Sequence, residues 1–227
     1  MPGTLSEGRF ARLPNAWIYD NGLSRFRTTA THRGVSGAAL KLLLAILTKA
    51  ENAAAARAGP NQGSASLTYG ELEELTDLAR SSIAAGLKRL QNLEIVRVVH
   101  EGRGRRNRYL VRDYGRDDKY GRMSLARLYG GPNSHRMAFL HQLSTRNEAD
   151  VNAMKLYLLF CAVYDRSRKG AMISYVSIAE MTGIGQGKIR RALSVLYEHD
   201  MVRVSSTDAL VEVEGRNLPN LYKILGI

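Results

Sequence analysis

The chain has 227 residues, of which 33 are Lys or Arg and 21 are Asp or Glu, so its formal net charge is +12. This excess favours a polyanionic partner, either nucleic acid or an anionic membrane surface. The sequence has no apolar run of about 18 residues and no secretory leader pattern, so we expect no membrane partner. Its single cysteine, Cys161, excludes an intrachain disulfide framework and indicates a cytoplasmic protein.

An internal repeat sets the organisation of the chain. Residues 67–98 align without a gap on residues 173–204, at a constant offset of 106 and with nine identical positions. A unit this long that is present twice indicates two copies of one small domain rather than a solenoid. The sequence therefore predicts four segments: a basic N-terminal arm over 1–35, a first domain over 36–112, a connector over 113–149 and a second domain over 150–227.

The segments outside the repeat are also basic. Residues 1–35 carry five basic and two acidic side chains, which gives a net charge of +3. Pro14 and Trp17 indicate an ordered arm that packs against the first domain, and the alternative is an arm that lies along DNA. The connector contains Gly and Pro residues and one short helical pattern, so we expect it to be partly ordered and to set the spacing between the domains.

The first copy opens with two predicted helices. Ser36 is the expected N-cap of a helix that carries the apolar residues of 39–47, and we expect that helix to continue a few turns before a flexible loop. Thr68 with Glu71 three residues later is the signature of a capping box. It predicts a short second helix that ends near Thr76.

A third helix and a hairpin complete the first copy. The third helix is expected to begin at Arg80 or Ser81, because apolar residues then recur at positions i, i+4 and i+7 as Ile83, Leu87 and Leu90. The residues that follow predict a β-hairpin, with strands over 95–99 and 108–111 and a Gly- and Arg-rich turn over 101–107.

Each copy resembles the winged helix-turn-helix family over nearly its whole length, in the order helix, helix, turn, helix, hairpin. Both hairpins close with an Asn-x-Tyr pair, at Asn107 and Tyr109 and again at Asn220 and Tyr222. The resemblance implies a mainly α fold with small β-hairpins, of the α+β class, built from two such domains in tandem. It also implies that the third helix enters the major groove of DNA and that the hairpin, or wing, contacts the backbone or minor groove.

By this resemblance, two sets of side chains in the first copy are the predicted DNA contacts. The third helix contributes Arg80, Ser81, Ser82, Lys88 and Arg89. The wing contributes Arg103, Arg105, Arg106 and Arg108. The alternative for both sets is an ordinary solvated surface. However, four arginines within six positions that hold no acid exceed what solubility requires, and guanidinium groups so placed can release phosphate counterions.

The second copy offers a different set of side chains. Its predicted contacts are Gln186, Lys188, Arg190 and Arg191 on the third helix and Arg216 in the wing. Gln or Arg there can form bidentate contacts with bases, each worth about 1–3 kcal/mol of discrimination. Residues 36–112 carry 12 basic and 7 acidic side chains, whereas residues 150–227 carry 10 and 8. We therefore expect the first copy to supply the main electrostatic attraction.

The first helix of the second copy is unusually apolar. The run AMKLYLLFCAVY at 153–164 is apolar on more than one face. Two interpretations fit, burial in the core of the domain or a contact in a homodimer. Core packing is the interpretation that we favour.

Patterns typical of enzymes are missing. The run TGIGQGKI at 182–189 lacks the spacing of a phosphate-binding loop and has Ile189 where the Mg²⁺-binding hydroxyl belongs. The five histidines form no metal-binding pair, one cysteine cannot build a zinc site, and no cluster of His and Arg accompanies the tyrosines. We expect no catalysis, no cofactor, no metal and no small-molecule ligand.

These features predict a bacterial or mobile-element protein that binds double-stranded DNA as a transcriptional regulator. One alternative is a replication initiator or partition protein of a plasmid or phage, because the LPNAW stretch followed by the ALKLLL helix looks like the opening of helix-turn-helix domains in such initiators. Another is a protein-interaction module, since many winged helices have lost DNA binding. The arginines of the first wing argue against that last alternative.

Overall fold

The computed structural model describes residues 10–50, 63–100, 106–114, 120–131, 134–205 and 219–227. Helices and small antiparallel sheets make up these residues, which confirms the α+β class. No helix in this part of the chain is long and apolar enough to cross a membrane.

The order of elements repeats along the chain. The elements are β1 (Phe10–Pro14), α1 (Ala16–Tyr19), a 3₁₀ turn (Gly22–Arg25), α2 (Arg33–Lys49), β2 (Ser64–Thr68), α3 (Tyr69–Thr76), α4 (Arg80–Asn92), β3 (Val96–His100), β4 (Arg106–Val111), β5 (Tyr120–Ser124), α5 (Leu125–Tyr129), α6 (Ala138–His141), α7 (Glu148–Ala162), β6 (Tyr164–Asp165), β7 (Gly170–Ile173), α8 (Tyr175–Thr182), α9 (Gln186–Glu198), β8 (Val202–Ser205) and β9 (Asn220–Ile224). The series α2, β2, α3, α4, β3, β4 recurs as α7, β7, α8, α9, β8, β9. The repeat in sequence is thus a repeat in structure.

Local sequence signals fix the middle of the first copy. The capping box at the start of α3 is present: Thr68 Oγ1 accepts a hydrogen bond from the Glu71 amide at 3.1 Å, and Glu71 Oε2 accepts one from the Thr68 amide at 2.7 Å. The helix ends at Thr76 and α4 begins at Arg80, as predicted. The apolar face of α4 is buried through Ile83, Leu87 and Leu90.

Two expectations about α2 are wrong. Ser36 does not cap the helix but lies buried inside it, because the N-cap is His32, whose carbonyl accepts the amide of Ser36 at 2.9 Å. The helix also ends at Lys49, where Ala50 turns extended, instead of continuing for further turns.

The sheets contain strands that the sequence did not predict. In the first copy, β2 pairs with β4, and the strand order is β2-β4-β3. In the second copy, β7 takes the same place in the order β6-β7-β9-β8. The predicted hairpins are present, with Val98 opposite Tyr109 and Val204 opposite Tyr222. Both tyrosine rings are fully buried beneath their sheets.

The N-terminal arm and the connector fold together. β1 pairs with β5, and Asn15 joins this small sheet to α7, since its Nδ2 donates to the Ala162 carbonyl at 3.1 Å and its Oδ1 accepts the Gly121 amide at 2.8 Å. Leu23 and Phe26 are fully buried. The described part of the arm is therefore ordered, as expected, but it packs on α7 of the second copy as well as on α2.

Helix α7 lies in the core, which confirms the favoured interpretation of its apolar run. Every residue of α7 after Glu148 is buried. The helix packs directly on α2, and the buried residues of both copies belong to one continuous hydrophobic cluster. A helix that is apolar on all sides requires such complete coverage.

Equivalent lysines of the two copies are buried in this core. Lys41 Nζ donates to the Thr76 carbonyl and Lys155 Nζ donates to the Phe26 carbonyl, each at 3.2 Å. Burial lowers the pKa of both amines, because removal from water disfavours the charged form. For Lys155 the pKa falls to about 8.

We predict that Lys155 makes the stability depend on alkaline pH. Between pH 8, the folded pKa, and pH 10.5, the ordinary value, the unfolded chain binds a proton that the folded chain has released. Raising the pH through this window therefore stabilises the fold, by about 3 kcal/mol in all for this one group. Urea unfolding of the wild type and of Lys155→Met across this pH window measures the effect. The difference between their free energies of unfolding should change with pH. A difference that does not vary with pH contradicts the prediction.

Candidate nucleic-acid interface

The N-terminal ends of α2, α4 and α7 surround one polar cleft. The start of α2 lies against the start of α7, since a Cβ on Gly37 would lie 2.9 Å from Thr145 Cα and 3.0 Å from Val151 Cγ2. The cleft has a volume of about 520 Å³. Its polar and charged lining residues are Thr31, Arg33, Ser81, Ser82, Thr145 and Arg146. Unpaired amides at helix starts and the helix dipole favour anions in such a place.

Glu148 connects this cleft to the start of α9. Its Oε1 accepts a hydrogen bond from Lys188 Nζ at 2.7 Å, and its Oε2 lies 3.9 Å from Arg33 Nη2. The hydrogen bond from Lys188 is the main reason that the pKa of Glu148 is lowered. The third helices of the two copies, α4 and α9, therefore begin on the same side of the molecule.

The predicted contact residues of α4 differ in their surroundings. Arg80, Ser81 and Lys88 are exposed and Ser82 is half-buried at the cleft. Arg80 Nε lies 3.3 Å from Glu73 Oε1, so that this guanidinium is already in an ion pair with α3. Because its side chain is 74% exposed, the pair leaves the group accessible.

The predicted contact residues of α9 are the most accessible. Gln186, Lys188, Arg190 and Arg191 are all exposed. Lys188 is held by Glu148, whereas neither Arg190 nor Arg191 forms a side-chain ion pair with any residue that the structure describes. The two arginines follow one another after buried Ile189, so the helix holds them on its solvent side.

In the first wing, the predicted contact residue Arg106 is already paired within the fold. Its Nη2 lies 2.7 Å from Glu71 Oε1 and its Nη1 donates to the Ser66 carbonyl at 2.8 Å. The reason is the strand register, which places Arg106 opposite Thr68 and hence beside the carboxylate of the capping box. Arg106 thus joins the turn end of the hairpin to α3. Arg108 is half-buried in β4, and Arg103, Arg105 and Arg216 lie outside the described residues.

Arg25 and Arg27 of the N-terminal arm, which were not among the predicted contact residues, lie beside Arg89 of α4. Arg89 Nη2 donates to the Arg25 carbonyl at 2.5 Å. Burial, followed by the nearby charges of Arg25 and Arg27, lowers the pKa of the Arg89 guanidinium. The only sequence signal was the basic composition of the arm, because nothing in the chain indicates that Arg25 meets a residue 64 positions away.

The chemistry of this surface is that of anion binding. Its groups are guanidinium, ammonium and hydroxyl groups together with helix N-termini, and its carboxylate, that of Glu148, is paired with Lys188. Within the described ranges, no group of three or more His, Cys, Asp or Glu side chains could hold a metal ion. Cys161 is buried, and burial raises the pKa of its thiol.

Comparisons with known proteins give no relative for this chain: no family model, no curated protein and no solved structure matches it.

We predict that Arg106 and Glu71 are energetically coupled. In a double-mutant cycle with Arg106→Ala and Glu71→Gln, the coupling free energy should be about 0.5–1 kcal/mol, because both groups are half-exposed and the pair is short. The Gln side chain keeps an acceptor for the Thr68 amide, so the capping box is retained. Arg80→Ala with Glu73→Gln is the matched control, and its longer, more exposed pair should show a coupling near zero. Equal couplings in the two cycles contradict a structural role for Arg106.

Proposed function

We propose that this chain binds double-stranded DNA through two winged helix-turn-helix domains in tandem and acts as a cytoplasmic transcriptional regulator. The observation that supports this most is the common surface on which α4 and α9 begin, lined by Arg33, Ser81, Arg146 and Lys188. In this class of protein the third helix lies in the major groove and its first turns meet base edges and phosphates.

The connection between the two copies suits binding to one continuous duplex. Helix α2 packs directly on α7 inside a shared core. The separation of the third helices is therefore set by side-chain packing and not by a flexible linker. We infer that the protein recognises two adjacent sites at one fixed spacing, with one third helix in each.

Helices α4 and α9, the third helices of the two copies, would contribute differently to DNA binding. Ser81 and Ser82 carry short hydroxyls at the start of α4, where phosphate oxygens are favoured. Gln186, Arg190 and Arg191 are longer, exposed side chains that can reach base edges in a groove. The proposal thus gives phosphate anchoring mainly to the first copy and sequence selection mainly to the second.

The acid at the centre of the surface does not oppose this function. Glu148 lies between Lys188 and Arg33 and contacts both, so its charge is balanced locally. Of the predicted wing contacts, Arg103, Arg105, Arg108 and Arg216 stay in the proposal as backbone contacts. Regulation would follow from occupancy, because a bound chain blocks or recruits other proteins at the same DNA.

We predict that Arg190→Ala/Arg191→Ala reduces sequence preference. Loss of one bidentate base contact lowers discrimination by about 1–3 kcal/mol, or roughly 5- to 150-fold. Selection from a pool of randomised duplexes measures the preference, and anisotropy titration of a labelled duplex measures the affinity. The control Arg166→Ala/Arg168→Ala removes the same charge from the turn between β6 and β7, at the end of the sheet away from α8. If the selected sequence is unchanged, α9 does not read bases.

We also predict that sites mapped across the genome of the source cell include the promoter of this protein's own gene. Binding at that promoter is the result expected of a transcriptional regulator that controls its own synthesis. A cluster of direct repeats at an origin would instead support the replication initiator. Absence of binding to any duplex at low salt would contradict both and leave a protein-interaction module.

A further inference from the structure

We infer that the segment over residues 22–33, called here the bridging segment, is a third contact with the DNA backbone. Its Arg25 and Arg27 would act together with Arg89 of α4 as one phosphate-binding cluster. The inference rests on the proposed DNA-binding function and extends it to residues that belong to neither helix-turn-helix unit.

The bridging segment reaches the second copy at two points. Its 3₁₀ turn packs on α8, where a Cβ on Gly183 would lie 3.3 Å from Ser24 Cβ. Farther along, Thr28 Oγ1 donates to Glu148 Oε1 at 3.4 Å, on the carboxylate that also holds Lys188. The segment therefore runs past the turn that precedes α9 and ends beside the first residues of that helix.

The same segment contacts the third helix of the first copy. Arg89 Nη2 donates to the carbonyl of Arg25, and Arg33 at the end of the segment lines the cleft with Ser81 and Ser82. The bridging segment thus occupies the space between α4 and α9. We infer that a duplex that meets both helices passes over it.

The backbone of the segment is anchored, which fixes where its arginines point. Phe26 is fully buried, its ring meets Trp17 edge-on, and its carbonyl accepts the buried amine of Lys155. Arg25 and Arg27 flank this anchor and are both exposed. They are consequently held on the outer side of the segment with little freedom of the backbone to lose on binding.

All three side chains of the cluster are positively charged, and the cluster contains no carboxylate. Among the described residues, neither Arg25 nor Arg27 pairs its guanidinium with a carboxylate. Arg89 is half-buried, and the charges of both neighbours act on it unfavourably. Like charges so close together destabilise the fold, whereas a phosphate placed among them would interact favourably with all three. A phosphodiester backbone supplies such groups at regular intervals along each strand.

The test is Arg25→Ala/Arg27→Ala in the full chain, titrated against a fluorescent mixed-sequence duplex of about 40 base pairs, long enough for non-specific binding by charge. We expect weaker binding and a salt slope that is smaller by about 0.9 for each lost phosphate contact, or roughly 2 in total. Sequence preference in a randomised selection should not change. Arg25→Lys/Arg27→Lys should restore most of the slope, because it restores the charge.

Two comparisons make the result decisive. The control Arg166→Ala/Arg168→Ala loses the same net charge outside the bridging segment, and its salt slope should match that of the wild type. The inference is overturned if the salt slope of the control decreases as much as that of Arg25→Ala/Arg27→Ala. It is also overturned if Arg25→Ala/Arg27→Ala keeps the wild-type slope. In either case the proposed DNA binding is unaffected. If the wild type itself does not bind the duplex, the proposed function fails. The control should keep the wild-type unfolding midpoint, since both of its side chains are exposed. Arg25→Ala/Arg27→Ala should unfold no earlier than the wild type, because it removes like charges beside Arg89.

Discussion

The direct packing of α2 on α7 is the constraint on which the rest of the molecule depends. Each is the first helix of its copy, and each is buried along nearly its whole length. Neither helix can be covered by its own copy alone, because one copy supplies a third helix and a small sheet that cover only part of its circumference. The remaining sides are covered by the other first helix and by the N-terminal arm.

Close approach within each copy follows from small residues at the contacts. Gly86 of α4 lies so near α2 that a Cβ there would be 2.6 Å from Leu42 Cδ1 and 3.0 Å from the backbone of Ala38. The second copy has Ala192 at the equivalent position, also buried. Larger side chains would push the third helix away from the first and rotate its solvent face, so the position of the exposed basic residues depends on these two small ones.

Features set by neighbouring residues could be predicted from the sequence. The capping box of Thr68 and Glu71 and the start of α4 rest on patterns within about a dozen residues. The hairpins could be predicted because the same pattern occurs in both copies. Strand β2 escaped prediction because the run SASLT, although polar and apolar residues alternate in it, is short and consists mainly of small residues. It becomes a strand only because β4 is available as a partner.

Features set by distant residues could not be predicted. The ion pair of Arg106 with Glu71 requires the register of β2 on β4, and the meeting of Arg25 with Arg89 requires the whole path of the arm. Composition correctly marked the surface as basic. Composition could not separate arginines that stabilise the fold from arginines that remain available to a ligand. Both kinds are the same residue type in similar local sequences.

The shared core also bears on how such a chain can change over time. Where a flexible connector joins two modules, its length sets the distance between them. Here the length of the connector does not set the distance between the two copies, because β5 is fixed by its contacts with the arm and α7 by its contacts with α2. Insertions in the connector that spare β5, α5 and α6 would therefore leave the placement of α4 relative to α9 unchanged. A different placement of α4 relative to α9 would require a different contact between α2 and α7.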